Sequence, residues 1–194
     1  MFQDSVPDPP QVLDALAEAA ARKGFDMACD ARTGALLRTL AAGKPGGRIL
    51  ELGTGVGAGA AWLLEGMDRA ARLVTVERDE GLSAVARRML GSDPRVTFIE
   101  DDGEAWLRGE AQGPFDLIFA DTWPGKFTCF EEAWALLPVG AFYVVDDLLP
   151  QASWPDGHAA KVERLLAALA RRTDCRLLRL AWSSGLIVAV RVSP

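Results

Sequence analysis

The sequence predicts an α/β fold in three layers, a seven-stranded and mostly parallel sheet between helices, with the last strand antiparallel. Two observations predict it. Short apolar runs of strand length alternate with segments of helical periodicity along most of the chain. The alternation then ends in two strand-like runs whose link is too short for a crossover helix.

Apolar runs suited to buried strands fall at Arg48–Leu52, Leu73–Val76, Val96–Ile99, Asp116–Ala120 and Ala141–Val145. Strands separated by helices pair in parallel, each crossover packing a helix on the sheet. After Glu77, the residues Leu82, Val85, Ala86, Met89 and Leu90 recur at helical spacing, as do Val162, Leu165, Leu166 and Leu169 near the C-terminus. Both stripes are expected to face the sheet. The runs Arg176–Trp182 and Leu186–Val192 are joined by Ser183-Ser184-Gly185, so the final strand turns back antiparallel. Ahead of the first strand, helical segments at Pro10–Lys23 and Asp30–Ala42 are divided by Gly24 and ended by Gly43-Lys44-Pro45-Gly46-Gly47. They read as a helical cap (residues 1–45) beside a crevice in the core (residues 46–194), all within a single domain.

A length of 194 residues with 49% apolar content suits one well-buried core. The net charge of −6, without a dense Lys/Arg stretch, argues against a nucleic-acid partner. Met1–Pro10 is not a basic stretch followed by an apolar one, and no run is long enough to span a bilayer. A soluble, cytoplasmic protein with no membrane partner is therefore expected. Cys29, Cys129 and Cys175, odd in number and widely spaced, are expected as buried, reduced thiols. His158 is the only histidine, which removes most His-based metal and triad chemistry. It is expected in a solvated first helical turn, and is the one imidazole available as a neutral-pH base.

The chemistry concentrates where strands end. Glu51-Leu52-Gly53-Thr54-Gly55-Val56-Gly57-Ala58-Gly59 sits where the first strand meets its helix, and its glycines permit a tight turn and close approach of a ligand to the backbone. Gly53, Gly55 and Ala58 also satisfy the spacing of a dinucleotide-binding turn, so the loop alone does not identify its ligand. Glu77 ends the second strand, followed by Arg78. A carboxylate there can accept from both hydroxyls of an adenosine ribose, each charged hydrogen bond worth roughly 1.5–3 kcal/mol. Asp102, in Glu100-Asp101-Asp102-Gly103-Glu104, follows the third strand, where it can accept from an adenine amino group. Asp121 ends the fourth strand and Asp146-Asp147 the fifth. Any one of these acids alone could be a solvated loop residue. Acids at four successive strand ends lie on the side where open α/β sheets bind ligands.

Through RILELGTGVG, LVTVERDE, FIEDDGEAWL, DLIFADTWPGKF and FYVVDDLLP, in that order and followed by a terminal hairpin, the chain resembles the class I S-adenosylmethionine-dependent methyltransferases, and within them the catechol O-methyltransferase-like group. The resemblance runs from about Ala31 to the C-terminus. It implies a Rossmann-like core, S-adenosylmethionine as cofactor and transfer of its methyl group to the oxygen of a small-molecule acceptor. Residues matching Gly53, Gly55 and Gly57 would surround the cofactor's amino-acid portion, Glu77 would hold the ribose, and Asp102 would lie at the adenine. With Glu51, Thr54, Gly59, Arg78, Gly103 and Asp121 these make the expected cofactor-binding set. The resemblance further implies Mg²⁺ or another divalent cation on Asp121, Asp146 and Asp147, and it suggests a homodimer.

Three departures from the family pattern stand out. Ala58-Gly59 replaces a Tyr-Ser pair, Asp147 replaces an Asn, and the family's base-like lysine would fall nearer Pro124 than Lys126. Asp121 and Lys126 are the candidate catalytic residues, the lysine reaching the site from a looped-out turn. Trp123 and Trp154 are candidate walls for a flat aromatic acceptor, with core or lid packing the alternative. The cap and Leu148–Gly157 are expected to shape the acceptor pocket. Two other functions remain open at this point: a nicotinamide-dependent oxidoreductase, which shares the glycine loop and ribose acid, and a cofactor-binding or interaction module without catalysis.

Overall fold

The computed structural model describes residues 6, 8–151 and 154–194. The start of the chain and the middle of Leu148–Gly157, about which the sequence raised expectations, lie outside the described residues. Seven strands form one sheet: β1 (Arg48–Leu52), β2 (Arg72–Glu77), β3 (Val96–Glu100), β4 (Leu117–Ala120), β5 (Phe142–Val145), β6 (Cys175–Leu180) and β7 (Leu186–Arg191). Their order is β3-β2-β1-β4-β5-β7-β6. β1 to β5 pair in parallel, and β7 runs antiparallel to both β5 and β6. The expected mostly parallel sheet with an antiparallel last strand is therefore present. Because β1 is flanked by β2 on one side and β4 on the other, the strand order reverses there, opening a crevice beyond the carboxyl ends of β1 and β4.

Helices α1 (Leu13–Lys23), α2 (Ala31–Ala42), α3 (Ala58–Gly66) and α4 (Glu80–Leu90) enclose one apolar core. On the sheet's other face, α5 (Gly103–Gly109), α6 (Phe130–Ala135) and α7 (His158–Ala170) enclose a second. α1 starts later than the periodicity predicts, at Leu13, because Pro10 contributes only a carbonyl, which accepts from the Leu13 amide in a preceding turn. α2 starts where expected, its Asp30 carboxylate capping the Arg32 amide at 2.8 Å. β6 stops at Leu180 rather than Trp182, since Trp182 already belongs to the turn closed by the Gly185 amide on its carbonyl.

The cap helices join the sheet-covering layer. α2 lies along α3 so closely that a Cβ on Gly34 would overlap the Trp62 ring, and one on Gly66 would overlap the Arg38 carbonyl. Trp62 is completely buried and Arg38 stacks over its ring at 5.3 Å. Cys129 and Cys175 are buried as expected, whereas Cys29, in the α1–α2 link, is half-buried; all three are unpaired.

Beneath the turn after β1 lies a buried carboxyl. Glu51 is fully enclosed, and Thr75 donates to its Oε2 at 2.5 Å while contacting Thr54 in turn. Its Oε1 finds no hydrogen-bond partner among the described residues and fills the space that a Gly59 side chain would need. The Tyr-Ser departure thus has a steric counterpart: Gly59 leaves room for Glu51. Burial pushes the Glu51 carboxyl up from 4.5 to about 8.

Two outcomes are expected. Gly34→Ala forces a shift of the Trp62 ring and should lower unfolding free energy by about 1–3 kcal/mol in urea titrations, despite the better helix propensity of alanine; a more stable variant contradicts this packing. Glu51 binds its proton in the folded chain up to about pH 8 but only to about 4.5 once unfolded, so its contribution to stability falls as pH rises between those values. Urea titrations across that window should show Glu51→Gln gaining on the wild-type chain with rising pH, and parallel curves would refute the assignment.

Candidate active site

The crevice end of β1 continues into the glycine turn. The Gly53 and Thr54 amides both donate to the Val76 carbonyl at 3.0 and 3.2 Å, which folds the turn over the end of β2. Gly53 has φ +97° and abuts Asp121, whose carbonyl would lie 3.1 Å from a Cβ. Gly57, at φ +100°, starts α3 against Ala86 of α4. A side chain at either position would be both strained and obstructed. Over Gly55 stands the ring of Phe25, from the α1–α2 link.

Glu77 faces this turn. Its Oε2 accepts from the Gly55 amide at 2.8 Å and its Oε1 from the Asp79 amide at 3.0 Å, so the half-buried carboxylate is fixed at the rim of the notch. Arg78 beside it is exposed. Asp102 caps α5, its Oδ1 accepting from the Glu104 and Ala105 amides at 2.9 and 3.1 Å. Gly103 lies against Pro124, with a Cβ position 2.9 Å from the proline Cβ, so the loops after β3 and β4 meet here. Glu51 and Gly59, expected as direct cofactor contacts, are instead buried beneath the turn and support it from below, because their side-chain and Cβ positions face each other.

The loops after β4 and β5 build a second, acidic centre. Asp121 is half-buried; burial, then the nearby Asp146 charge, push its carboxyl well above the usual carboxylate range. Asp146 is buried and also raised by burial, although it accepts from the Ser184 hydroxyl and, at 2.6 Å, from the Asp147 amide. Into this centre the Trp123–Thr128 turn brings Lys126. The Trp123 carbonyl accepts from the amides of Lys126, Phe127 and Thr128, Gly125 takes φ +80°, and the buried Tyr143 hydroxyl donates to the Gly125 carbonyl. The Lys126 side chain is only 2% exposed; its Nζ donates to the Asp146 carbonyl at 3.0 Å and lies 3.9 Å from Asp147 Oδ2. The displaced lysine thus reaches the acidic residues, as the looped-out turn predicts.

The three aspartates do not form the expected cation site. Asp147 has φ +64°, and its carboxylate accepts from Gln151 and, at 2.8 Å, from the Trp154 indole N–H, with His158 Nε2 3.4 Å away. Mg²⁺ needs about six oxygens in near-octahedral array, yet an ammonium stands among these carboxylates. Among the described residues, no three His, Cys, Asp or Glu side chains are placed to hold a metal ion. Trp154 stacks on His158 at 4.4 Å as it bonds Asp147, which makes it part of the packing rather than an open wall. Trp123 is 44% exposed, with Lys161 Nζ 4.6 Å above its ring. His158, expected to be solvated, is buried between Trp154 and Phe127, and burial lowers its pKa.

Sequence reasoning read Ser183-Ser184-Gly185 only as a short link. In the fold, Ser184 bonds Asp146, its carbonyl accepts from the Leu148 and Leu149 amides, and Ser183 donates to Asp30 Oδ1 at 2.8 Å. The hairpin turn therefore ties the start of α2 to the acidic centre. The available signal was topological: a strand antiparallel to β5 must enter beside the residues where β5 ends.

Residues 50–148 match the family described as a methyltransferase domain. A catechol O-methyltransferase of Mycobacterium tuberculosis is 34% identical over 179 residues, spanning 89% of this chain and 79% of that protein. Among solved structures, the O-methyltransferase TomG from Streptomyces achromogenes, in complex with SAM, superposes with a TM-score of 0.83 at 26% identity, covering 96% of this chain and 92% of that one. The O-methyltransferase from Bacillus cereus in complex with SAH shares the fold at a TM-score of 0.81 and 24% identity, with 98% and 92% covered. With its glycine turn, the acid ending β2 and the terminal antiparallel hairpin in the same order along the chain, the protein belongs to the class I S-adenosylmethionine-dependent O-methyltransferases.

Proposed function

We propose that the chain methylates the hydroxyl oxygen of a small, flat, aromatic acceptor, with Glu77 holding the ribose of S-adenosylmethionine and Asp121 taking the acceptor's proton. The observation that carries this is the Glu77 carboxylate at the notch, 2.8 Å from the Gly55 amide, beside a crevice lined by further acids. Such a crevice suits a cation. A sulfonium gains from Asp121 and Asp146, whereas a dinucleotide's pyrophosphate would be repelled by them, which disfavours the nicotinamide alternative. Asp102 and Gly103 lie where the loops after β3 and β4 meet and would border the adenine.

In the step itself, the acceptor O–H proton passes to the Asp121 carboxylate as the oxygen attacks the methyl carbon. The carbon–sulfur bond breaks with its electron pair on sulfur, releasing neutral S-adenosylhomocysteine, and Asp121 later returns the proton to water. Burial, then the Asp146 charge, raise the Asp121 carboxyl above the usual carboxylate range, and a more basic carboxylate is a better proton acceptor. The exposed Trp123, edge-on to Phe127 at 6.4 Å and two residues along the chain from Asp121, offers aromatic surface. Among the described residues no helix is long and apolar enough to cross a membrane, in keeping with a cytoplasmic small-molecule enzyme. A homodimer is supported by the family resemblance and by Leu178, 57% exposed on the edge strand β6.

Glu77→Ala should weaken S-adenosylmethionine binding by about 10-fold or more in calorimetry, the loss of at least one charged hydrogen bond; unchanged affinity would remove the ribose assignment. Asp121→Asn should cut kcat for a phenolic acceptor by about 100-fold or more, measured as S-adenosylhomocysteine formed. Retained turnover in that variant would place the base elsewhere.

A further inference from the structure

We propose that the Lys126 ammonium is a built-in counter-ion for Asp121, Asp146 and Asp147, standing where a divalent cation would otherwise neutralise them, so that this chain transfers methyl groups without a bound metal ion. The inference rests on the methyl-transfer reading above and names the charge that serves the acceptor side of the site.

Four observations carry it. The ammonium is enclosed, at 3.0 Å from the Asp146 carbonyl and 3.9 Å from Asp147 Oδ2. The turn that delivers it is fixed from two sides: the Tyr143 hydroxyl bonds the Gly125 carbonyl, and Gly125 sits against Leu52 with no room for a Cβ. A surface lysine would need neither restraint. One oxygen each of Asp146 and Asp147 is already engaged by protein donors. Asp146 Oδ1 accepts from Ser184 and the Asp147 amide, and Asp147 Oδ1 accepts from Gln151 and Trp154. Finally, Asp147 adds a carboxylate where the resembling family carries a neutral amide, and Lys126 Nζ and His158 Nε2 both approach its Oδ2. Extra negative charge and an internal cation occur together in one cluster.

A fixed ammonium can do electrostatically what a Lewis acid does at this point, favouring negative charge on an acceptor oxygen as its proton leaves. It does so without ligand exchange and without dependence on metal supply. In this role Lys126 donates and attracts rather than abstracting the proton, and the base function falls to Asp121.

The test is Mn²⁺ binding to the whole chain, followed by electron paramagnetic resonance without cofactor or acceptor, so that its outcome is independent of whether methyl transfer is observed. The wild-type chain should hold no Mn²⁺ tighter than about 1 mM. Lys126→Met should tighten Mn²⁺ binding by about 10-fold or more, because three acids then lack their counter-ion, and Lys126→Arg should bind as weakly as wild type. Turnover of the wild-type enzyme should change less than about twofold on adding chelator or Mg²⁺. Stoichiometric, tight Mn²⁺ binding by the wild-type chain overturns the proposal, as does loss of turnover in chelator. Should Lys126→Met fold, by its circular dichroism, and still gain no Mn²⁺ affinity, the ammonium is not what excludes the metal, and the proposal fails on that count.

Discussion

Carboxylates crowded at one end of a parallel sheet repel one another, and the crevice of this protein exists because that repulsion is answered by fixed partners. Glu77 is held by two backbone amides, Asp146 by a serine hydroxyl and an amide, and Asp147 by an indole, an amide side chain and the approach of Lys126. Among the described residues Asp121 has no comparable set of donors and feels chiefly burial and its neighbours' charges. It is therefore the acid whose charge state is most open to change by a bound cation or a departing proton, which is what a methyl-transfer site asks of one residue.

The supporting structure is built from close approach as much as from apolar burial. Gly34 and Gly66 let α2 settle on α3, Gly53 and Gly57 let the turn pass Asp121 and α4, Gly103 meets Pro124, and Gly125 drops the lysine turn onto β1. Each glycine substitutes proximity for a side chain. The consequence is a rigid frame in which the hairpin turn at Ser183-Ser184, the N-terminus of α2 and the acidic centre are joined by hydrogen bonds across long stretches of sequence.

Much of this was legible in the chain itself. Apolar periodicity located the strands because a sheet buried on both faces leaves near-continuous hydrophobic runs, and the short final link dictated the antiparallel closure. The glycine turn and the strand-end acids were readable because their positions follow from strand ends. What escaped depends on side-chain direction, which a linear pattern does not encode. Nothing in the sequence turned Asp147 toward Trp154, buried His158 between two aromatic rings, or set Glu51 beneath the turn rather than in the crevice. Among the described residues the expected three-aspartate cation site is not assembled for that reason: Asp146 and Asp147 each have an oxygen committed to protein donors, and the Lys126 ammonium stands beside them.

The central claim is that the acid-rimmed notch at β1 and β2 grips an adenosine with its sulfur turned toward Asp121. A crystal structure of the chain with S-adenosylhomocysteine tests it most directly. The expected result has the ribose hydroxyls on the Glu77 carboxylate and the sulfur on the Asp121 side of the crevice. Density for the nucleoside away from the glycine turn, or Glu77 making no contact with the ribose, would contradict it.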